Sequence, residues 1–349
     1  MTNRVRGALA RTALLLALGL VAAACSSTAA SSSGGKVELR LGYFPNLTHA
    51  TAIVGVDDGI FQKDLGPNVT LKTSTFNAGP AEVTALLSGA LDAGYMGPNP
   101  AINAYIKSNG QGIRIISGAT SGGAFLVVKP SIQTVADLKG KRIAAPQLGN
   151  TQDVALRNWL KSKGYKTTTS GGGDVKILDQ DNATTLATFE QGLIDGAWVP
   201  EPWASRLIVE GGGHQLVDER TLWPGGRYVT TQLVVTTSFL QTHADVVENL
   251  LKGQVEANDF VNNNPAQAQR IVSEGIKKIT GKTLKPDELA AAWKNLTFTN
   301  DPIASSLRTN AAASLALGFI KSSDIANIYD LTLLNKVLTS QGKQAINTA

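Results

Sequence analysis

Short polar loops that open helices are where this chain could hold a ligand with side chains and backbone together. Pro45-Asn46-Leu47-Thr48-His49 follows a strand-like run and opens a helix. Asn46, Thr48 and His49 carry hydrogen-bond donors, and a helix start adds unpaired backbone N–H groups that favour an anion. Gly149-Asn150-Thr151-Gln152-Asp153 is a second such loop. In both loops simple helix capping is the alternative. Thr120-Ser121-Gly122-Gly123 joins two strands with small residues. It suits either a hinge crossing with bare backbone toward a cleft, or a plain turn. Trp203, just after Glu201, reads as an apolar cleft wall or as packing on its own helix. Arg157, Arg206 and Arg227 lie near these loops and could pair with a charged ligand. Spacing singles out none of them, and a surface position is the default for each.

Other chemistries fail on their spacing. The stretch from Gly275, GIKKITGKT, has five residues between its glycines where a phosphate-binding loop needs four, and no strand precedes it. The glycine triplets at 171–173 and 211–213 do not open a helix after a strand with dinucleotide spacing. No G-x-S-x-G elbow and no H-E-x-x-H occurs. Cys25 is the single cysteine, and His49, His214 and His243 lie far apart in sequence. No catalytic residue, metal site or cofactor is expected.

These loops need elements to position them. Lys36 to Tyr43 alternates Val37, Leu39, Leu41 and Tyr43 on one face and reads as a strand. Further strands are expected at 69–76, 92–96, 113–117, 124–129, 141–145, 175–178, 196–199 and 229–236. Helices are expected at 49–62, 81–87, 98–107, 151–163, 183–191 and 202–210, and the chain after Ala244 is mostly helical. Trp159 and Trp293 sit on helical stripes and read as core. Alternating strands and helices argue for parallel βαβ units and an α/β fold. Gly89-Ala-Leu-Asp92-Ala-Gly-Tyr95 lines up with Gly192-Leu-Ile-Asp195-Gly-Ala-Trp198. Each copy is followed by a proline-containing helix start, Gly97-Pro98-Asn99 in one and Pro200-Glu201-Pro202-Trp203 in the other. This suggests two similar lobes, although any two βα units share such features. Ligands of open α/β sheets bind outside the carboxyl ends of the strands. A length of 349 residues suits two domains, and 43% hydrophobic with 17% charged residues excludes disorder and a polytopic membrane protein.

The N-terminus changes the meaning of the charge. Arg4, Arg6 and Arg11 precede an apolar run from Ala13 to Ala24 that is too short to span a bilayer. This is a secretory signal. Small residues followed at once by Cys25 resemble a bacterial lipobox, with Ala22 where leucine is commoner. That resemblance implies cleavage after residue 24 and lipidation of Cys25. Ser26 to Gly35 reads as a flexible tether. Removing 1–24 takes three arginines and no acid from the formal charge of +5 and leaves +2. Little then remains of any case for nucleic acid.

The stretches LRLGYFPNLTHA from Leu39, FNAGPAEVTALLSGALDAGYMGPNPAI from Phe76, TVADLKGKRIAAPQLGNTQDVALRNWL from Thr134 and IDGAWVPEPWASRL from Ile194 resemble a known family. It is the substrate-binding lipoproteins of bacterial ABC importers, in the group for aliphatic sulfonates, taurine and nitrate. The resemblance implies a two-lobe, type II periplasmic-binding-protein fold, each lobe a mixed sheet flanked by helices, with a helical C-terminal part. Lobe one would comprise 37–121 plus 232–349 and lobe two 122–231, after a signal at 1–24 and a tether at 25–36. Family binding positions fall on Asn46, Leu47, Thr48 and His49; Gly97 and Asn99; Ser121, Gly122 and Gly123; Asn150, Thr151 and Gln152; Glu201 and Trp203. Leu47, Met96 and Trp203 would take any alkyl part. A small anion or zwitterion, best an aliphatic sulfonate or taurine, would close the lobes around itself. The partners implied are permease subunits with a cytoplasmic ATPase, and the membrane through the lipid anchor; the protein itself would be a monomer outside the cytoplasm. Nitrate, bicarbonate or a thiamine-precursor pyrimidine are alternative ligands on the same fold. An enzyme on this fold is a further alternative, opposed by the lack of any thiol after Cys25.

Overall fold

The computed structural model describes residues 36–348. The expected signal at 1–24, Cys25 and the tether up to residue 35 lie outside the described residues. The chain enters through β1 (Val37–Tyr43), whose alternate side chains Leu39 and Leu41 are fully buried. A short 3-10 turn over Leu47–His49 leads into α1 (Ala50–Asp57) and α2 (Ile60–Leu65). Then come β2 (Val69–Thr75), α3 (Gly79–Leu87), β3 (Ala93–Met96), α4 (Pro98–Lys107) and β4 (Ile113–Gly122). The pattern restarts with β5 (Ala124–Val128), β6 (Arg142–Ala145), α5 (Thr151–Ser162), β7 (Lys176–Asp179), α6 (Asn182–Glu190), β8 (Gly196–Pro200), α7 (Trp203–Val209) and β9 (His214–Asp218). The chain returns as β10 (Val229–Thr236). It continues through α8 (Thr237–Thr242), α9 (Ala244–Asn263), α10 (Pro265–Thr280), α11 (Pro286–Trp293), β11 (Leu296–Phe298), α12 (Ala304–Ala316) and α13 (Thr332–Ser340).

Two sheets result, each the floor of a lobe. The first runs β11-β4-β10-β3-β1-β2 and the second β7-β6-β8-β5-β9. Within each, three strands are parallel in matching order, β2-β1-β3 and β7-β6-β8. Next to them lies an antiparallel strand, β10 in one and β5 in the other. Those two strands make the sheets mixed rather than purely parallel. Each enters its sheet by a direct crossing from the other lobe, with no crossover helix to turn it parallel. Two short strands, β9 and β11, lie where no strand was expected, and β4 runs five residues beyond its expected end at Ser117. Glycines 275 and 281 sit on α10 and at its left-handed C-cap, so the phosphate-loop look-alike is a helix end.

Four apolar clusters fill the space between sheets and helices. Trp159 is buried, edge-on to the buried Trp198 at 5.7 Å. Trp293 is half-buried against Phe298.

The sequence repeat has a physical counterpart. Arg40 donates its backbone N–H and its guanidinium to Asp92, with Nη2 at 2.6 Å from Oδ1, and reaches the Gly89 carbonyl at 2.6 Å. Arg142 makes the same set with Asp195 and the Gly192 carbonyl. Each clamp ties the first parallel strand of its lobe to the turn that starts the third. The Asp92 side chain is 8% exposed and Asp195 25%. Asp92→Ala leaves the Arg40 backbone N–H unpaired and takes the carboxylate from its guanidinium, which keeps only the Gly89 carbonyl, and should cost about 1–3 kcal/mol. Asp195→Ala should cost less, because water reaches that site more easily. Urea midpoints of the two variants check the order.

Candidate functional site

The strand-to-helix junctions of the two lobes face each other across a small cavity. Phe44, Asn46, Thr48, His49, Asn77 and Gly97 line it from the first lobe. Pro146, Asn150, Thr151, Gln152, Asn182 and Pro200 line it from the second, and Thr230 and Thr231 of β10 complete it. Its volume is about 20 Å³, space for roughly one water. None of these lining residues is Asp, Glu, Lys or Arg. Among the described residues no group of three His, Cys, Asp or Glu side chains could hold a metal ion.

His49 is fixed by its own chain. Its Nδ1 accepts the Phe44 N–H at 3.2 Å, and its ring lies 4.4 Å from the Phe44 ring. An accepting Nδ1 leaves the proton on Nε2, so the imidazole is a neutral donor. Burial strips the ring of water and lowers its pKa from 6.5 to about 3. Thr48 is anchored through its carbonyl, which accepts from Thr120 Oγ1 at 2.7 Å.

Neither asparagine at these helix starts caps its helix. Asn46 precedes the 3-10 turn and Asn150 precedes α5, and neither side chain accepts a bond from the turn that follows. Asn46 Oδ1 instead accepts the Trp203 indole N–H at 2.8 Å. Near α5 the local carboxylate is Asp153. It accepts the Gly149 N–H at 2.8 Å and pairs with Arg157 at 2.6 Å. Burial raises the Asp153 carboxyl above its ordinary range and the Arg157 guanidinium opposes the shift. Thr151 Oγ1 and Asn182 Oδ1 are buried without a hydrogen-bond partner among the described residues. The cavity therefore offers neutral amides, hydroxyls, an imidazole N–H and the first turn of α5. Such a set suits oxygens of a small anion.

The lobes meet closely at this point. A methyl carbon on Gly97 would lie 2.1 Å from Thr151 Oγ1. Yet Gly97 has φ −73° and ψ 168°, which any residue adopts. Glycine is needed here for the opposite lobe and not for the turn.

Of the residues expected at the site, Asn46, Thr48, His49, Gly97, Asn150, Thr151 and Gln152 line the cavity. Leu47 is packed in the first lobe's core, and its N–H donates to the Glu201 carbonyl at 3.1 Å. Met96 is likewise buried in core. Asn99 ties α4 to α12 through Ser314 Oγ at 2.9 Å. Ser121, Gly122 and Gly123 form the crossing from β4 to β5, and both glycines have positive φ, +79° and +74°. A side chain at Gly123 would strike Leu296. Glu201 is buried and accepts from Ser205 N, Ser205 Oγ and Asn295 Nδ2 at 2.8–3.0 Å, so it is a strut between lobes. Burial raises its pKa. Trp203 lies outside the cavity, beside it. Arg157, Arg206 and Arg227 are paired with Asp153, Glu210 and Asp301, and none lines the cavity. Sequence reasoning missed Asn77 and Asn182, although both stand at the same kind of junction, before α3 and opening α6. Thr230 and Thr231 sit in an ordinary strand pattern that gave no signal.

Residues 32–274 match the NMT1-like family. The chain belongs to this family. Within it, the chain is 30% identical over 214 residues to the taurine-binding periplasmic protein of Escherichia coli K12, covering 61% of this chain and 64% of that one. The NMT1-like chain also superposes on the alkanesulfonate-binding protein SsuA of Xanthomonas axonopodis pv. citri bound to MOPS, with TM-score 0.69, 19% identity and coverage of 82% and 95%. The nitrate-binding protein NrtA of Synechocystis PCC 6803 gives TM-score 0.71, 15% identity and coverage of 87% and 89%. These structures share its two-lobe periplasmic-binding-protein fold.

Two outcomes follow from the geometry. Gly97→Ala should leave the chain folded but hold the lobes apart, so small-angle scattering of the variant should show a larger radius of gyration than wild type. Adding Thr151→Ala should recover part of the closure, since the remaining approach to Thr151 Cβ is 3.2 Å. His49 titrates only far below its unfolded value, so its contribution is present above about pH 6.5 and is lost as pH falls toward 3. Relative to pH 7, the wild type should lose about 2 kcal/mol more than His49→Gln by pH 5. Chemical denaturation at the two pH values measures it.

Proposed function

We propose that this NMT1-like protein is the extracytoplasmic solute-binding protein of an ABC importer, and that its solute is a small organic anion of the aliphatic sulfonate type. It is a binding protein and not an enzyme. The observation that carries the reading is the interlobe cavity walled by neutral donors from both lobes and by the start of α5. Donors of this kind satisfy several oxygens of one anion at once, and selectivity then follows from their geometry. The sulfonate-binding and taurine-binding relatives support the same class.

The solute enters between parted lobes, and its oxygens take hydrogen bonds from His49 Nε2, Asn150, Thr151 and the α5 backbone. Contacts to both sides favour the closed form. We take the lobes as 37–121 plus 232–349 and 122–231, with the crossings near Gly122 and Val229 as hinge. The closed shape is what permease subunits, coupled to a cytoplasmic ATPase, would read. A signal at 1–24 and lipidation of Cys25 would keep a monomeric protein beside them on the outer face of the membrane, with 26–35 as tether. Two or more acyl chains suit that anchoring.

A thermal-shift panel of alkanesulfonates, taurine, nitrate, bicarbonate and thiamine precursors tests the reading. Saturating ligand must raise the melting temperature by mass action. An alkanesulfonate at a hundredfold its Kd should add about 2.7 kcal/mol, and Asn150→Ala with Thr151→Ala should abolish the shift. A panel in which no compound raises the melting temperature would sink the transport role.

A further inference from the structure

Farther along α5 a pocket of about 240 Å³ opens, and its lining shares no residue with the cavity. Ala155 and Trp159 come from α5, Glu219 and Trp223 from the segment after β9, and Asn310 from α12. Glu219 is the one charged side chain of that lining among the described residues. It is 2% exposed. Its carboxylate accepts the Trp198 indole N–H at 2.7 Å and the Trp223 indole N–H at 3.4 Å. Both donors are neutral, and among the described residues no cation pairs with Glu219. A buried carboxylate needs either a compensating cation or a proton.

The charged groups around it are committed elsewhere. Arg220, next in the chain, pairs with Asp218 at 2.6 Å. On α5, Asp153 pairs with Arg157, Lys161 reaches the Ala316 carbonyl, and Lys163 beyond its end lies 6.0 Å over the Trp159 ring. Arg308 of α12 donates to the Thr348 carbonyl, and His214 stands at the far end of β9. β5 and β8 carry no charged residue. Tyr228, stacked on Trp223 at 5.4 Å, is kept neutral by burial. Burial likewise pushes the Glu219 carboxyl up to about 7, against the two indole bonds and with Asp218 adding to the rise.

We propose that this pocket is a second binding site, which takes a small organic cation whose ammonium group meets the Glu219 carboxylate beside the Trp159 and Trp223 rings. Indole rings favour an alkylated ammonium, since their faces attract charge and their carbon surface takes the methyl groups. The volume admits a cation of a few carbons and excludes a peptide. Charge and lining both set this site apart from the anion cavity, so neither proposal depends on the other.

Isothermal titration of the whole chain with tetramethylammonium at constant ionic strength tests it, with tert-butanol as the uncharged control of similar size. Tetramethylammonium should bind one to a chain, and tert-butanol about tenfold more weakly or less. The probe keeps its charge at every pH, whereas Glu219 gains its own as pH rises through about 7. Binding should therefore tighten about tenfold from pH 6 to pH 8. Glu219→Gln should weaken it about tenfold and flatten the pH profile. Ala155→Leu should fill the pocket and weaken binding while leaving the carboxylate in place, so it reports if the first variant fails to fold. Absence of tetramethylammonium binding, equal affinity for tert-butanol, or a folded Glu219→Gln that binds like wild type overturns the site.

Discussion

Gly97 and Thr151 approach so closely that one methyl group would not fit between them. Nearly everything at the site depends on that approach. It sets the start of α4 against the start of α5, which brings their junction residues into one small space. Other contacts hold the same closed arrangement. The Leu47 N–H donates to the Glu201 carbonyl, the Glu201 carboxylate accepts from Asn295, and the Trp203 indole donates to Asn46. On the opposite side Lys161 reaches the Ala316 carbonyl at 3.2 Å. These bonds are few and individually modest, of order 1 kcal/mol each. Contacts this few are what the closure proposed above would make and break.

How the charges are placed is the second constraint. Asp153 and Arg157 lie fully buried within a turn of the cavity, yet they neutralise each other and lean on Asp179 and the Thr168 carbonyl. Glu201 is consumed by Ser205 and Asn295. A buried charge is tolerated only when paired. Pairing these groups away from the cavity leaves its potential to helix starts, amides and hydroxyls. Such a field suits the anion proposed above, which it would attract without an ion pair.

Much of the frame was legible because its signals are local. Burial of alternate residues gave β1, and the spaced Gly-x-x-Asp pattern gave the repeat that the Arg40 and Arg142 clamps make physical. The rule that ligands gather where strands end and helices begin found seven cavity residues. The same rule could not tell which way a side chain at a junction turns. Leu47 and Asn99 turn into packing, and Glu201 turns toward Asn295, because partners distant in sequence claim them. Capping and binding also look alike in sequence; only the absence of a bond back to the helix separates them at Asn46 and Asn150. The strands β9 and β11 were invisible for another reason. β11 has three residues and exists only because the crossing end of β4 offers it an edge.

The clamps and the site are two ends of one device. Asp92 fixes the beginning of β3, and four residues later the same strand delivers Gly97 to the interface. Asp195 fixes the beginning of β8, which delivers Pro200 and Glu201. At about 3.3 Å per residue these strands are too short to bend, so a junction moves only with its whole lobe. The chain crosses between lobes twice, at Gly122–Gly123 with positive φ and again just before β10. Under the proposed lobe assignment, two lobes joined by two neighbouring crossings would move chiefly by rotation about the line through the crossings. Any solute that bridges His49 and Thr151 must act along that motion. Under the proposed function, binding and change of shape are then the same event, and the shape is what a membrane partner would read.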